Sequence, residues 1–190
     1  MKNPQQNAID KLNHIIALTA DGHLGYGNAA KHVSHAMIAT TLHRLAEQRA
    51  TYGSRLQQEV LVLGGTADHR ESDTLGSLQR TWMNLESVFR SGSTAAILEA
   101  CITGETAALK EYDSVLAEPY IVGDVYQILS LQEQEIHRAT QTVTSHLAAL
   151  TSHDVSTRNA ATKTKTRRRH GRSLRAMHAP TLEMRADDQP

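Results

Sequence analysis

The sequence predicts an all-α fold: a four-helix bundle with a short amphipathic crossover helix between helices 2 and 3, followed by a disordered basic C-terminal tail. Three observations carry this. Apolar residues recur three and four apart through four long segments, the period of one buried helix face. Thirty residues, Gly64 to Ser93, separate the second segment from the third, far more than an antiparallel turn needs. Aromatic residues make up only 4% of the chain, so the core must come from Leu, Ile, Val and Ala, as helical bundles allow.

Helix 1 is predicted from Gln5 to about Val33, with Asn3 as cap and Pro4 in the first turn. Its apolar positions are Ile9, Leu12, Ile16, Tyr26, Ala30 and Val33. Asp21, Gly22, Gly25 and Gly27 weaken its middle, since each glycine costs roughly 1 kcal/mol against Ala. Close helix packing or a kink would account for them. Ser34 is the expected cap of helix 2, which carries the stripe Met37, Thr41, Leu45, Gln48, Tyr52, Leu56, Val60 and Leu63 before Gly64 and Gly65 end it.

Residues 66–73 read as a polar loop, and Leu75, Leu78, Trp82, Leu85 and Phe89 trace one face of the crossover helix. Trp82 is expected to staple that helix to the bundle. Ser93 or Thr94 opens helix 3, with Ile97, Leu98, Cys101, Ile102, Ala108, Leu109, Tyr112, Val115 and Leu116 inward. Pro119 marks a short turn into helix 4, whose stripe is Val125, Ile128, Leu129, Ile136, Ala139, Val143, Leu147 and Leu150. A crossover along the bundle between helices 2 and 3 distinguishes ferritin-like bundles from simple up-down ones.

After about Ser152 the apolar period stops, which divides the chain into a bundle (1–152) and a tail (153–190). The equal totals of 20 basic and 20 acidic residues hide an asymmetry. Residues 1–150 carry 11 basic and 16 acidic side chains, and residues 151–190 carry 9 and 4. Cys101 is the only cysteine, which excludes an intrachain disulfide and a cysteine-built zinc site and fits a reducing compartment. No segment approaches the roughly 20 apolar residues of a membrane span, so a cytoplasmic protein is expected.

Four segments carry more than a pattern: DGHLGYGNAA (21–30), LQQEVLVLGG (56–65), RTWMNLES (80–87) and AILEACITGETAALKEYDSVL (96–116). In order and spacing they resemble an uncharacterised bacterial family of ferritin-like four-helix-bundle proteins, over roughly residues 5 to 147. The resemblance implies a ferritin-like bundle of unknown activity, stress-associated, in which polar residues on the inner helix faces could hold metal. The family pattern has Glu where Gln48 stands, His where Gln79 stands, Glu where Ile102 stands and His where Thr140 stands. Glu105 and Glu135 match it.

The residues themselves also argue against a di-metal centre. No Glu has a His three residues later, so the element that puts a carboxylate and an imidazole together on one helix face is missing. Glu105 sits between Cys101, Ala108, Leu109 and Tyr112 on the apolar face of helix 3, where a carboxylate must be paired, protonated or bound to a cation. Gln48, Gln132 and Glu135 occupy comparable positions, so the four form a candidate polar core. Glu105 and Glu135 are the candidate metal ligands, for iron or manganese, weighed against a hydrogen-bonded network with no metal. One or two carboxylates with neutral amides make a weak first-row site. Most of the histidines are scattered near loops, helix ends or the tail, and His43 with Glu47, or Glu133 with His137, read as surface pairs. Tyr26 and Tyr112 read as core residues whose hydroxyls find partners.

In the tail, Lys163, Lys165, Arg167, Arg168, Arg169, Arg172 and Arg175 could neutralise phosphates, and no aromatic residue lies between Thr151 and Pro190 to stack on bases. Nucleic acid bound there would be held without sequence preference. The functional expectation is a non-catalytic structural or stress-associated interaction protein with a degenerate metal site and no resident cofactor, able to form a homodimer. The alternatives are an iron- or manganese-binding, oxidant-handling protein, and a stress protein that binds nucleic acid through its tail.

Overall fold

The computed structural model describes residues 3–67, 88 and 92–176, with side chains described to residue 152. The described residues form four helices: α1 (Pro4–His32), α2 (Ala36–Val62), α3 (Thr94–Leu116) and α4 (Gly123–Ala176). No strand occurs among them. No helix among them is long and apolar enough to cross a membrane.

α1 starts as its sequence dictates. The Asn3 side chain accepts from the Gln6 amide at 2.7 Å, and Pro4 occupies the first turn, where its missing N–H costs nothing. α2 begins differently from expectation: its cap is His35, not Ser34, and no side chain caps it. Its buried stripe is displaced to Ile38, Leu42, Leu45, Arg49, Tyr52, Leu56 and Val60, which leaves Met37 66% exposed. Gly64 ends α2 in the left-handed region at φ 75, with its amide on Leu61 O and that of Gly65 on Val60 O, each 2.9 Å. This paired closure satisfies carbonyls that the helix end leaves free. α3 opens on Ser93, whose hydroxyl accepts from the Ala96 amide.

Polar links fix how the helices run. Gln5 Nε2 donates to Leu63 O at 2.6 Å and Asn13 Nδ2 to Thr66 O at 3.1 Å, so the end of α2 lies beside the start of α1. Lys11 pairs with Glu118 at 3.0 Å and His14 Nε2 with Glu111 at 2.9 Å, which puts the end of α3 at that same end of α1. α2 and α3 therefore run in the same direction, both antiparallel to α1. The connection between them must cross from one end of the bundle to the other, as a ferritin-like bundle requires. The expected crossover helix with Trp82 lies outside the described residues.

All four helices contribute to one core, in which Leu12, Ile15, Leu56, Val115, Leu129 and Ile136 are among the buried members. Tight backbone approach explains two glycines. A Cβ on Gly22 would stand 3.3 Å from the aliphatic carbons of Arg49, and one on Gly53 only 2.8 Å from Thr19 Oγ1. Of the two readings of the α1 glycines, close packing accounts for Gly22.

α4 runs past Ser152, where the loss of apolar period predicts its end, to Ala176. The backbone over 153–176 is thus helical where the sequence predicts disorder. No Gly or Pro interrupts residues 151–170, so nothing in that stretch breaks the helix once it has begun. Residues 177–190 lie outside the described residues. The chain divides into two compact units, Met1–Ala149 and Leu150–Pro190.

Candidate functional site

The bundle centre holds a charge pair that the sequence reading missed. Arg49 projects from α2 and its Nη2 donates to Glu105 Oε2 on α3 at 2.6 Å, with the two side chains 3% and 2% exposed. Burial disfavours the charged guanidinium, but the charge and hydrogen bond of Glu105 outweigh it and hold Arg49 above its ordinary pKa. The glycine at position 22 leaves α1 close enough to cover the arginine stem. Tyr26 and Tyr52 present their rings to the guanidinium, at 5.8 and 5.3 Å from its carbon to the ring centroids.

Hydrogen bonds extend the pair into a network across α2, α3 and α4. Arg49 Nη1 donates to Gln48 Oε1 at 3.2 Å. The Tyr112 hydroxyl donates to Gln132 Oε1 at 2.8 Å, and Gln132 Nε2 donates to the Tyr52 carbonyl at 3.5 Å. The Tyr52 hydroxyl donates to Glu135 Oε2. All four polar-core candidates thus face the interior network: Glu105 and Gln132 are buried, Gln48 and Glu135 half-buried. The two carboxylates go separate ways, Glu105 to an arginine and Glu135 to a phenol.

The tyrosines are held strongly protonated. Burial raises the Tyr26 phenol well above its ordinary pKa, with the charge of Glu105 adding to it. Burial and then the hydrogen bond to Glu135 raise Tyr52, and burial raises Tyr112 against the opposing pull of Arg49. Burial pushes the Cys101 thiol up to about 12. A thiol so placed is inert as a nucleophile at neutral pH.

Beside the ion pair is a cavity of about 10 Å³, lined by Thr19, Gly22, Arg49, Glu105 and Tyr112 among others. Its volume approaches that of one water molecule at most.

A ferritin-type di-metal centre draws on several carboxylates and imidazoles from facing helices. The described residues do not fit one. Among the described residues no three His, Cys, Asp or Glu side chains converge, and the two buried carboxylates, Glu105 and Glu59, are each paired with a guanidinium, of Arg49 and Arg55. Ile102 and Thr140, at two of the altered family positions, offer an apolar side chain and a hydroxyl that donates to the Ile136 carbonyl.

Arg49 left a readable signal. It stands four residues after Leu45 and three before Tyr52, so it belongs to the apolar stripe of α2 as Glu105 belongs to that of α3. Two opposite charges on two buried stripes predict each other. His14 and His23 also hold the bundle, His14 through Glu111 and His23 by donating from Nδ1 to Ala46 O at 3.0 Å. Glu133 and His137 form the expected surface pair at 3.0 Å. The seven basic tail candidates, Lys163 to Arg175, fall on the part of α4 whose side chains are not described.

Comparison with known proteins agrees with this architecture. The structure is similar to the bacterioferritin-related protein of Bacteroides fragilis, characterised as a dodecameric thioferritin, with a TM-score of 0.53 at 16% identity. The likeness covers 78% of this chain and 90% of that one, and it shows the ferritin-like fold. No curated protein matches the chain. Residues 7–118 match the domain of unknown function DUF2383, and the chain belongs to that family.

Proposed function

We propose that the protein is a ferritin-like interaction scaffold with a degenerate metal site, in which a self-neutralised polar core occupies the bundle centre. The observation that carries this reading is the Arg49–Glu105 pair: the most deeply buried carboxylate among the described residues already has a cation, supplied by the chain itself. A guanidinium also repels divalent metal, so the pair both satisfies Glu105 and guards it. The remaining donors find protein partners, Gln132 with Tyr112 and Glu135 with Tyr52.

Self-association extends the reading. Large apolar side chains such as Leu24, Leu61, Val62 and Leu131 are exposed, and the similar Bacteroides fragilis protein is a dodecamer. A cytoplasmic setting is consistent with a lone buried cysteine.

Elemental analysis of protein purified without chelator tests the proposal. Iron and manganese should both be well below one atom per chain, and a chelator should leave the thermal midpoint unchanged. Stoichiometric iron or manganese that disappears in Glu105→Ala would overturn it in favour of an oxidant-handling metalloprotein.

A further inference from the structure

Three tyrosines surround the ion pair, yet their hydroxyls meet groups of different basicity. The Tyr112 hydroxyl faces the amide oxygen of Gln132 at 2.8 Å, and an amide has no capacity to take a proton in neutral water. Tyr26 lies against Glu105, but that carboxylate is the counter-ion of a buried guanidinium at 2.6 Å. Protonating it would strip Arg49 of its partner inside the core. Tyr52 alone of the three donates to a carboxylate that is free of this constraint, the half-buried Glu135 of α4.

From this geometry we propose that Tyr52 and Glu135 form a proton-coupled one-electron oxidation site, whose substrates are small one-electron oxidants of the radical class. In the oxidation step an electron passes from the Tyr52 phenol to the oxidant, the O–H bond breaks, and the proton crosses the existing hydrogen bond to Glu135. The products are a neutral tyrosyl radical, a carboxylic acid and an oxidant reduced by one electron. A thiolate reverses the step: it gives one electron and becomes a thiyl radical, while Glu135 returns the proton to the phenolate oxygen.

Arg49 sharpens the coupling. Its guanidinium carbon stands 5.3 Å from the centre of the Tyr52 ring, so a positively charged radical cation there is repelled. The electron can therefore leave economically only if the proton leaves with it. Tyr52 itself is 6% exposed, so electrons pass between its ring and the oxidant or thiolate across a thin layer of protein without direct contact, while the α4 carboxylate that receives the proton reaches the surface. This site uses no metal, and it goes beyond the scaffold reading without depending on it.

Flash photolysis of the full chain with a photogenerated ruthenium(III) polypyridyl oxidant tests the proposal. The background variant Trp82→Phe/Tyr120→Phe/Tyr126→Phe leaves the three inner tyrosines as the only aromatic donors other than phenylalanine, and its helical circular dichroism confirms folding. This background should yield a tyrosyl radical by transient absorption and electron paramagnetic resonance. Adding Tyr52→Phe should abolish it, and adding Tyr112→Phe, which removes a hydroxyl from the same network, should preserve it. Glu135→Gln should slow radical formation about 100-fold, the usual worth of a positioned base. A radical that survives Tyr52→Phe, or forms at the parental rate in Glu135→Gln, overturns the proposal. Where Glu135→Gln fails to fold, the contrast between Tyr52→Phe and Tyr112→Phe decides it.

Discussion

Glu105 and Arg49 each make sense only in the other's presence. Removing one member of a buried pair leaves an uncompensated charge in the core, at a cost of about 3–5 kcal/mol. Glu105→Gln and Arg49→Met are each expected to lose that much in urea unfolding. The double replacement Arg49→Met/Glu105→Leu should recover most of it, because apolar side chains of similar volume tolerate the same site. A double variant as unstable as the sum of the singles would show that the pair contributes packing, not charge compensation. At this scale the sequence was half legible. Glu105 stood out because a carboxylate on an apolar stripe demands a partner. Arg49 escaped because the α2 stripe was traced through Gln48, one residue away, and a shift of one position on a helix turns a side chain by 100°. The candidate site was thus found by its acid and missed by its base. Tyr52 and Glu135 were each legible as inward positions, but nothing in one sequence shows which phenol meets which acceptor.

Helix contacts set the second tier. α1 and α2 approach closely where Gly53 faces Thr19, whose hydroxyl donates to the Ile16 carbonyl at 2.7 Å. Gly53→Ala should therefore destabilise the protein by about 1–3 kcal/mol through overpacking, despite the gain in helix propensity. Thr19→Ala removes the obstructing oxygen, and the double variant should be more stable than Gly53→Ala alone, as read from thermal midpoints. If Gly53→Ala alone stabilises, α1 and α2 lie farther apart than described. Helix existence was the most legible property of the chain: Asn3, Pro4, Ser93 and the Gly64–Gly65 pair mark termini because each satisfies or spares backbone groups. The start of α2 was less so, since no side chain caps it and Ser34 offered a plausible substitute. The extent of α4 was also misjudged. Lost apolar period removes the reason for a helix to pack, but without a Gly or Pro before Gly171 it supplies no breaker to end one.

For the molecule as a whole, buried weak acids tie stability to alkaline pH. Cys101 has its pKa raised from 9.0 to about 12 by burial, and Tyr26, Tyr52 and Tyr112 are raised above 10.0. In each case the folded state keeps a proton that the unfolded chain releases. The associated stability is complete below about pH 9 and declines as pH rises, first through Cys101 and above about pH 10 through the tyrosines. Each group contributes a slope of about 1.4 kcal/mol per pH unit. Unfolding free energy should fall faster with pH between 9 and 10 in the parent than in Cys101→Ala, by about that one-group slope. Equal slopes would mean that the thiol titrates alike in both states. The topology was legible for a different reason: thirty residues between α2 and α3 exceed any tight turn, and the polar links at one end of α1 require such a traverse.

That traverse has a consequence for assembly. Because α2 and α3 point the same way, the bundle is two hairpins laid together, α1 with α2 and α3 with α4, each contiguous in the chain. The guanidinium rides on the first hairpin and its carboxylate on the second. Neither hairpin can close over its own ion without the other, so the central charges act as a password exchanged between halves. A half-molecule on its own keeps that ion in water and forgoes a finished interior.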